Sequence, residues 1–427
     1  MALPWVLTTA VLVSLPLVIG SGVADLATGS LVVSVAYAVA LLVAGPIQIV
    51  VSRYAADRLY EGRLRAIAAP LCRGLGVTLL VCGVVAASGL FALGLPVRST
   101  ICGAALSAAV GAQWAALSVG NGLCSPGLVL GAVGAGSGLS FVLAAALASL
   151  ARLGTPGYLF GLIVGQTATL VILLVGIFRA LPREADENAS LLPAFRDFAA
   201  LAGAGLAFNA SLWADRLLVW WRLGAQAAAR HAEASTLAWF STIPCLAWVF
   251  VEVETAFHRR FRRFYSTLEG GAALGDLRLG VLTLEREAVR LLTGALSIQA
   301  GVTLFLQLAA GPWARWAGMP PEAVLPFRLL LCAAGAQAVG LLGLIILYYF
   351  DLRREACLAA LGVLFGVATC TLVALQCGFP PSTGTAFGCA LGAVQTWRAV
   401  FRGIRAVLEH TLLGQPYGSE HADASGS

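Results

Sequence analysis

The feature that most constrains this chain is a series of apolar runs, each about as long as a helix that crosses a lipid bilayer. Such a helix needs about 20 mostly apolar residues, and it satisfies all of its own backbone hydrogen bonds. Twelve runs of this kind can be placed along the 427 residues. They lie at 3–20, 31–51, 71–94, 101–119, 128–150, 158–178, 198–221, 236–253, 291–310, 325–349, 356–376 and 381–397. The pattern predicts an all-α polytopic membrane protein with about 12 transmembrane helices.

Composition excludes a soluble globular protein of this length. Hydrophobic residues make up 59% of the chain and charged residues only 11%, whereas soluble proteins average about 25% charged residues. A soluble fold of this composition would lack the polar side chains needed to cover its surface. The net charge of +6 comes from arginines between the apolar runs, so it indicates membrane orientation rather than binding of nucleic acid.

The arginines predict which loops face the cytoplasm. If the N-terminus is cytoplasmic, 20 arginines fall in inner loops and 6 in outer loops, and Arg216 falls inside the membrane. Inner loops of membrane proteins carry an excess of basic residues. The distribution therefore predicts that both termini are cytoplasmic.

The two halves of the chain resemble each other weakly. In each half a proline-containing run leads into an Arg-rich stretch, which ends at Leu59-Tyr60-Glu61-Gly62 in the first half and at Thr267-Leu268-Glu269-Gly270 in the second. Chance is the alternative, because proline and arginine are common near the ends of spans. Since six helices per half is an even number, two such lobes have parallel topology, with a cavity between them. The predicted domains are lobes at 1–180 and 198–400, a cytoplasmic linker at 181–197 and a cytoplasmic tail at 401–427.

Charged residues interrupt the seventh run. Asp215 and Arg216 lie side by side there, six and seven residues after Asn209. A charge at the middle of a bilayer costs a few kcal/mol, so such residues usually face a hydrated path or a partner. The sequence predicts that these three residues line a transport path. The alternative is that the charged pair lies near the outer interface and extends to water.

Other polar residues in or near the runs are weaker candidates for the same path: Gln48, Gln166, Gln299, Gln337, Glu252 and Glu254. Amides hydrogen-bond sugar hydroxyls, but contacts between helices are their more usual role. The two glutamates would draw a cationic substrate to the inner mouth of the path, or they would pair with Arg259 and Arg260. Gly134 and Gly138 have the spacing of a close helix–helix contact rather than a phosphate loop.

Two Arg-rich segments predict a cytoplasmic docking surface. Its residues are Arg53, Asp57, Arg58, Glu61, Arg259, Arg260, Arg262 and Arg263. In the second segment Phe257, Phe261 and Phe264 share one helical stripe. This pattern is typical of an amphipathic helix on the inner leaflet, and a plain positively charged anchor is the alternative.

Motifs for catalysis or cofactor binding are lacking in the sequence. The four histidines have no metal-ligand spacing, and the ten cysteines form no CxxC pair. A nucleophile with a neighbouring base is equally lacking. The sequence therefore predicts neither an enzyme nor a metal or cofactor site.

Several strings resemble the PelG family of exopolysaccharide export subunits, which is placed in the multidrug/oligosaccharidyl-lipid/polysaccharide flippase superfamily. They are Gly45-Pro46-Ile47-Gln48, Arg53-Tyr54-Ala55-Ala56-Asp57-Arg58-Leu59-Tyr60-Glu61, Trp213-Ala214-Asp215-Arg216, Ser241-Thr242-Ile243-Pro244, Glu252-Val253-Glu254-Thr255-Ala256-Phe257 and Tyr349-Phe350-Asp351. Arg216 stands where the family usually has lysine, which preserves the charge. Pro4-Trp5 resembles the end of the family's first-span motif, so the usual leader is expected to be lacking here.

The resemblance implies a flippase-like transporter in the bacterial inner membrane that exports a cationic, partly deacetylated aminosugar polymer for biofilm matrix. The implied partners are the polysaccharide, the lipid bilayer, a cytoplasmic glycosyltransferase and small membrane subunits of a synthase complex. Asp215 would attract the polymer, and the basic surface would dock an acidic partner or anionic lipid. A lipid-linked oligosaccharide flippase, a cation-coupled multidrug exporter and a non-transporting scaffold stay open. Synthesis or an ion gradient would drive export.

Overall fold

The computed structural model describes residues 26–150, 152–182, 191–316 and 321–414, together with Leu7, Thr8, Ala10, Val11, Ser14, Leu15, Val18 and Ile19. Across these residues the regular secondary structure is helical, without a strand. Most of the predicted first span at 3–20, residues 183–190 of the linker at 181–197 and residues 415–427 of the tail lie outside the described residues.

The described helices follow one another along the chain with short turns between them. They are α1 (Leu26–Tyr60), α2 (Ala68–Ala92), α3 (Val97–Leu123), α4 (Pro126–Ala145), α5 (Gly154–Ala180), α6 (Leu191–Asp197), α7 (Ala199–Leu223), α8 (Ala225–Trp239), α9 (Ile243–Glu252), α10 (His258–Glu269), α11 (Leu274–Trp316), α12 (Val324–Tyr349), α13 (Arg353–Gln376) and α14 (Pro381–Gly414). A π-helical turn at Val253–Phe257 joins α9 to α10 without a break.

Nine helical stretches within the described residues are long and apolar enough to cross a membrane. The predicted runs two to six and eight to eleven fall on them. The seventh run falls on α7, which meets the same test together with the preceding α6, and the two helices are bent by 77°. The twelfth falls on α14, which is not among these stretches. The prediction of an all-α polytopic membrane protein is confirmed.

The chain forms two compact units, Met1–Glu233 and Ala234–Ser427, called the N-terminal and C-terminal units below. The predicted lobes at 1–180 and 198–400 stay a prediction. In each unit large apolar side chains also lie on outer helix faces, as they do on α2, where Val77, Leu80 and Val84 are exposed. Such faces suit contact with lipid rather than water.

Glycines allow the closest helix contacts within the N-terminal unit. A Cβ atom on Gly136 of α4 would lie 1.7 Å from Oγ1 of Thr169, and one on Gly161 of α5 would lie 2.2 Å from the backbone nitrogen of Ala144. The expectation for Gly134 and Gly138 was wrong, because a Cβ on either would meet nothing within 4 Å. The helix does make a close contact with its neighbour, but it makes it through Gly136, which lies on another face.

A similar contact joins α13 and α14 in the C-terminal unit. Gly384, Gly388 and Gly392 recur every fourth residue along α14. A Cβ on any of them would come within 3 Å of backbone atoms of α13. The two backbones therefore touch directly.

Candidate functional site

Asp215 is buried in the N-terminal unit and is paired with a histidine. Its side chain lies on α7 and is 3% exposed. One carboxylate oxygen, Oδ2, lies 2.8 Å from Nε2 of His231, which is 6% exposed. The other, Oδ1, accepts a hydrogen bond of 2.8 Å from the backbone N–H of Arg216. Both oxygens therefore have partners, as a buried carboxylate requires, and Asp215 does not extend to water at the interface.

The turn between α7 and α8 brings these two residues together. Gly224 ends α7 with a φ of +83°, a conformation that favours glycine, and its backbone N–H bonds to the carbonyl of Trp220. Gly224 lies about midway between Asp215 and His231 in the sequence. Because the chain folds back at Gly224, Asp215 on α7 and His231 on α8 lie next to each other across the two helices.

Arg216 lies against an aromatic ring on its own helix. Its guanidinium carbon is 4.4 Å from the centre of the Trp213 ring, within the range of a cation–π interaction. The Arg216 side chain is half-buried. Contact with an indole lowers the cost of keeping this charge among apolar helices.

Asn209 ties α7 to α1 inside the N-terminal unit. Its Nδ2 donates a hydrogen bond of 2.9 Å to the carbonyl of Leu41. Pro46 lies in the interior of α1, where its missing N–H leaves a nearby carbonyl without the usual helical donor. A Cβ on Gly45 would lie 2.2 Å from the same Nδ2, so the amide needs a glycine at that position. These contacts give Asn209 a structural role beside the proline of α1.

The predicted glutamines fall into two groups. Gln48 is half-buried on α1, and Gln166 is 2% exposed on α5. Within the described part of the chain, Oε1 of Gln166 accepts no hydrogen bond. In the C-terminal unit Gln299 donates to Thr303 and Ser241 at 3.1 and 3.4 Å, and Oε1 of Gln337 accepts from the thiol of Cys389 at 3.6 Å. Thr303 lies on the same helix as Gln299, whereas the bonds to Ser241 and from Cys389 are the inter-helix contacts that amides usually make in membranes.

Glu252 belongs to an ionic network in the C-terminal unit. Glu252 on α9 accepts from Arg290 on α11. Arg290 also donates to Glu287 at 3.0 Å, and Glu287, 3% exposed, pairs with Arg260 on α10. The expected pairing of Glu252 with Arg259 or Arg260 is therefore corrected, because α11 brings closer partners. Glu254 is exposed.

A second, more exposed pair involves α11 two residues before Glu287. Glu285 accepts a hydrogen bond of 3.0 Å from Arg405 on α14. The hydrogen bond and the negative charge raise the pKa of Arg405 above its ordinary value.

The predicted docking surface contains both paired and exposed charges. On α1, Arg53 lies 3.4 Å from Asp57, the spacing of neighbours on one helical face. Arg58 lies 2.6 Å from Glu61, which follows the last residue of α1. On α10, Arg259, Arg262 and Arg263 are exposed.

The aromatic stripe beside these arginines is covered by protein. Phe257 is 0% exposed and Phe264 is 4% exposed. The ring of Phe257 lies 5.5 Å from that of Tyr349 and 6.1 Å from that of Phe350. The stripe is therefore not available to enter the inner leaflet, as an amphipathic surface helix would require.

Two members of these networks, His231 and Glu287, were not singled out from the sequence. His231 lies in a segment that looked like an outer loop, and the signal that could have found it is Gly224. Glu287 lies before the predicted ninth run, in a segment whose arginines predict an inner loop. In the described residues no three His, Cys, Asp or Glu side chains are grouped as metal ligands.

Solved structures of MATE transporters share the fold of this chain. The inward-facing conformation of a multidrug resistance MATE family transporter of the MOP superfamily matches with a TM-score of 0.68 and 13% identity over 96% of both chains. The outward-facing conformation matches with a TM-score of 0.66 and 15% identity over 96% of this chain and 95% of that one. A MATE in the straight conformation matches with a TM-score of 0.65 and 15% identity over 96% of both. At this identity the likeness shows the fold alone.

The family comparison rests on the sequence itself. No curated protein sequence matches the chain. The PelG family, described as "Putative exopolysaccharide Exporter (EPS-E)", matches residues 1–405. That range contains every string on which the resemblance was based, so the predicted family is confirmed. The chain belongs to the PelG family and is a multi-pass membrane transporter with a MATE-like fold.

Proposed function

We propose that this transporter exports an exopolysaccharide of the Pel type, a cationic, partly deacetylated aminosugar polymer, across the bacterial inner membrane for biofilm matrix. The family match supports an exopolysaccharide as the substrate. The observation that carries the proposal is Asp215, a carboxylate buried in a membrane helix with a histidine as its side-chain partner. A negative charge at such a site is costly, and it suits a substrate that brings positive charge.

In this proposal His231 satisfies Asp215 between passages of the polymer. A protonated amino group of a sugar is a hydrogen-bond donor like the ring N–H of histidine, so it can take the place of His231 at Oδ2. Each exchange replaces one donor by another and leaves no unpaired carboxylate. Arg216 would then keep the site from binding the polymer too tightly.

The remaining predicted path residues would bind neutral parts of the sugar. In the N-terminal unit these are Asn209, Gln48 and Gln166, and in the C-terminal unit they are Gln299 and Gln337. Glu252 and Glu254 would offset the inner arginines where the polymer enters. Because Asn209, Gln299 and Gln337 already bond residues of other helices, binding a sugar would require those bonds to exchange.

The proposed topology has both termini in the cytoplasm. The proposed partners are a cytoplasmic glycosyltransferase and small membrane subunits of a synthase complex. These assignments rest on the arginine distribution and on the family resemblance.

The test is to delete the gene in a matrix-producing bacterium, restore the chain from a plasmid, and locate the polymer. Polymer that accumulates inside the deleted strain and is secreted after restoration supports export. Loss of synthesis in the deleted strain would instead favour a non-transporting scaffold.

A second candidate, a cation-coupled multidrug exporter, is favoured by the MATE-like fold. It predicts that the deleted strain becomes sensitive to cationic drugs and that activity persists without any synthase. Unchanged drug sensitivity together with trapped polymer would reject it.

A further inference from the structure

The exposed arginines of α10 form a face that points away from the core of the C-terminal unit. At about 100° per residue, Arg259, Arg262 and Arg263 lie within one third of the helix circumference, and Phe257, Phe261 and Phe264 lie opposite. These three arginines are called the α10 arginine face below. No ion pair to them is found among the described residues. Arg260, between the two faces, is already paired with Glu287.

Packing of the opposite face fixes this orientation. Phe257 and Phe261 contact Tyr349 and Phe350 at the end of α12, with ring centres 5.4 to 6.1 Å apart. The ring of Phe264 occupies the space left by Gly280 on α11, where a Cβ would lie 2.7 Å from it. The helix cannot rotate without breaking these contacts, so the arginines stay on the outside.

The distance of this face from the hydrocarbon core follows from the number of residues between them. The apolar helix α9 ends at the first charged residue, Glu252, and continues through the π turn into α10. With a rise of 1.5 Å per residue, Arg259 lies about 10 Å beyond Glu252. The headgroup layer extends about 5 to 8 Å beyond each side of the core. Helical side chains lean toward the N-terminal end of their helix, which here is the membrane end, so the guanidinium groups lean back toward that layer.

We infer that the α10 arginine face binds the headgroups of anionic phospholipids. Guanidinium groups form paired hydrogen bonds with phosphate oxygens, and adjacent arginines at a membrane surface favour acidic lipids. A lipid phosphate suits the site better than an acidic protein because the face begins within reach of the headgroup layer. The inference requires membrane insertion but not the proposed substrate, so it can fail while the export proposal stands.

The test compares the purified full-length chain with a variant that carries Arg259→Gln, Arg262→Gln and Arg263→Gln. Native mass spectrometry counts bound phosphatidylglycerol and phosphatidylcholine when both are supplied in equal amounts. We expect the wild type to retain phosphatidylglycerol preferentially. In the variant, the ratio of bound phosphatidylglycerol to bound phosphatidylcholine should fall about tenfold. The variant residues are exposed, so thermal unfolding without lipid should be unchanged.

Two controls separate a site from general charge. A variant with Arg98→Gln, Arg222→Gln and Arg315→Gln removes the same charge from the predicted outer side and should keep the preference. Excess inorganic phosphate should not displace the lipid, because the phosphate ion stays in solution while the lipid is anchored in the bilayer beside the site. A wild type without preference, an unchanged triple variant, or an equal loss in the control would each overturn the inference. An acidic protein as the true occupant would produce the first of these results.

Discussion

Nε2 of His231 lies 2.8 Å from Oδ2 of Asp215, although sixteen positions separate the two residues in the sequence. Both side chains are almost completely buried, and the turn at Gly224 brings them together. Nε2 of His231 gives the carboxylate a hydrogen-bonding partner inside the apolar unit, so Asp215 needs no further ligand there. A protonated amino group can take the same place at Oδ2, which makes the pair suitable for exchange with a charged substrate.

Asp215→Asn should impair export while the amount of protein in the membrane stays normal. Asparagine keeps the shape and a hydrogen-bond acceptor but removes the negative charge that the proposal requires. The measurement is secreted polymer in the restored deletion strain, with an immunoblot of the membrane fraction. Asp276→Asn, at an exposed carboxylate on α11, is the matched control and should secrete normally. Wild-type secretion by Asp215→Asn would remove Asp215 from the path.

His231→Ala should lower the stability of the purified protein by about 1 to 3 kcal/mol, because it leaves a buried carboxylate oxygen without its donor. His231→Gln should recover part of the loss, since its amide can donate to the same oxygen. Thermal unfolding in detergent measures both.

The double variant Asp215→Asn with His231→Ala should lose less than the sum of the single losses, because the two residues share one contact. Strictly additive losses would show that the residues do not interact.

Gly45→Ala should destabilise the N-terminal unit by about 1 to 3 kcal/mol. The new methyl group would overlap Nδ2 of Asn209 and break its hydrogen bond to Leu41. Gly76→Ala on α2 is the control, because a Cβ there meets nothing within 4 Å. Alanine at that helical position should stabilise by about 0.5 to 1 kcal/mol. Shifts of the unfolding midpoint in the same direction would contradict the packing described for α1 and α7.

Glu287→Gln should destabilise the C-terminal unit by about 1 to 3 kcal/mol, because this buried carboxylate joins Arg260 and Arg290. Glu285→Gln removes a carboxylate from the same helix, but its partner Arg405 is largely exposed. That change should cost no more than about 1 kcal/mol. Equal losses in chemical unfolding would argue against a special role for the buried carboxylate.

Reporter fusions after Arg65 and after Arg98 should lie on opposite sides of the membrane. Helix α2 (Ala68–Ala92) lies between the two positions. A phosphatase reporter, active outside, and a fluorescent reporter, active inside, distinguish the sides. The same side for both positions would break the predicted topology.

The membrane helices could be predicted because the bilayer dictates their length. A run of about 20 apolar residues leaves few other structures open, so eleven of the twelve predicted runs coincide with described helices. A charge in such a run is unusual, which is why the sequence singles out Asp215; its place on a transport path stays a prediction. What the sequence did not show was what each polar or aromatic face contacts.

His231 is a polar residue whose contact could not be predicted. Its partner lies sixteen positions earlier, and the apolar residues of its own helix are mostly alanines, so no local pattern marks it. The glycine at 224 was the available signal, because a helix end at that point implies a hairpin.

Phe257 and Phe264 belong to an aromatic face whose contacts could not be predicted. Their spacing correctly predicted an amphipathic helix, but periodicity reports that a face is apolar and not what covers it. Tyr349 and Phe350 cover it, and they come from a helix some 90 residues later in the sequence. Gly136 differs from Gly134 and Gly138 for a similar reason, since spacing does not say which side of a helix meets its neighbour.

The direct backbone contact between α13 and α14 limits how this transporter can change shape. At Gly384 and Gly388 the nearest atoms of α13 are backbone atoms, which cannot change rotamer to let one helix slide past the other. The backbones of α4 and α5 meet in the same way at Gly161, where the nearest atoms belong to the backbone of Leu143 and Ala144. Each of these helix pairs should therefore travel as one rigid rod during the transport cycle, and bending within a unit must take place at the looser joints elsewhere.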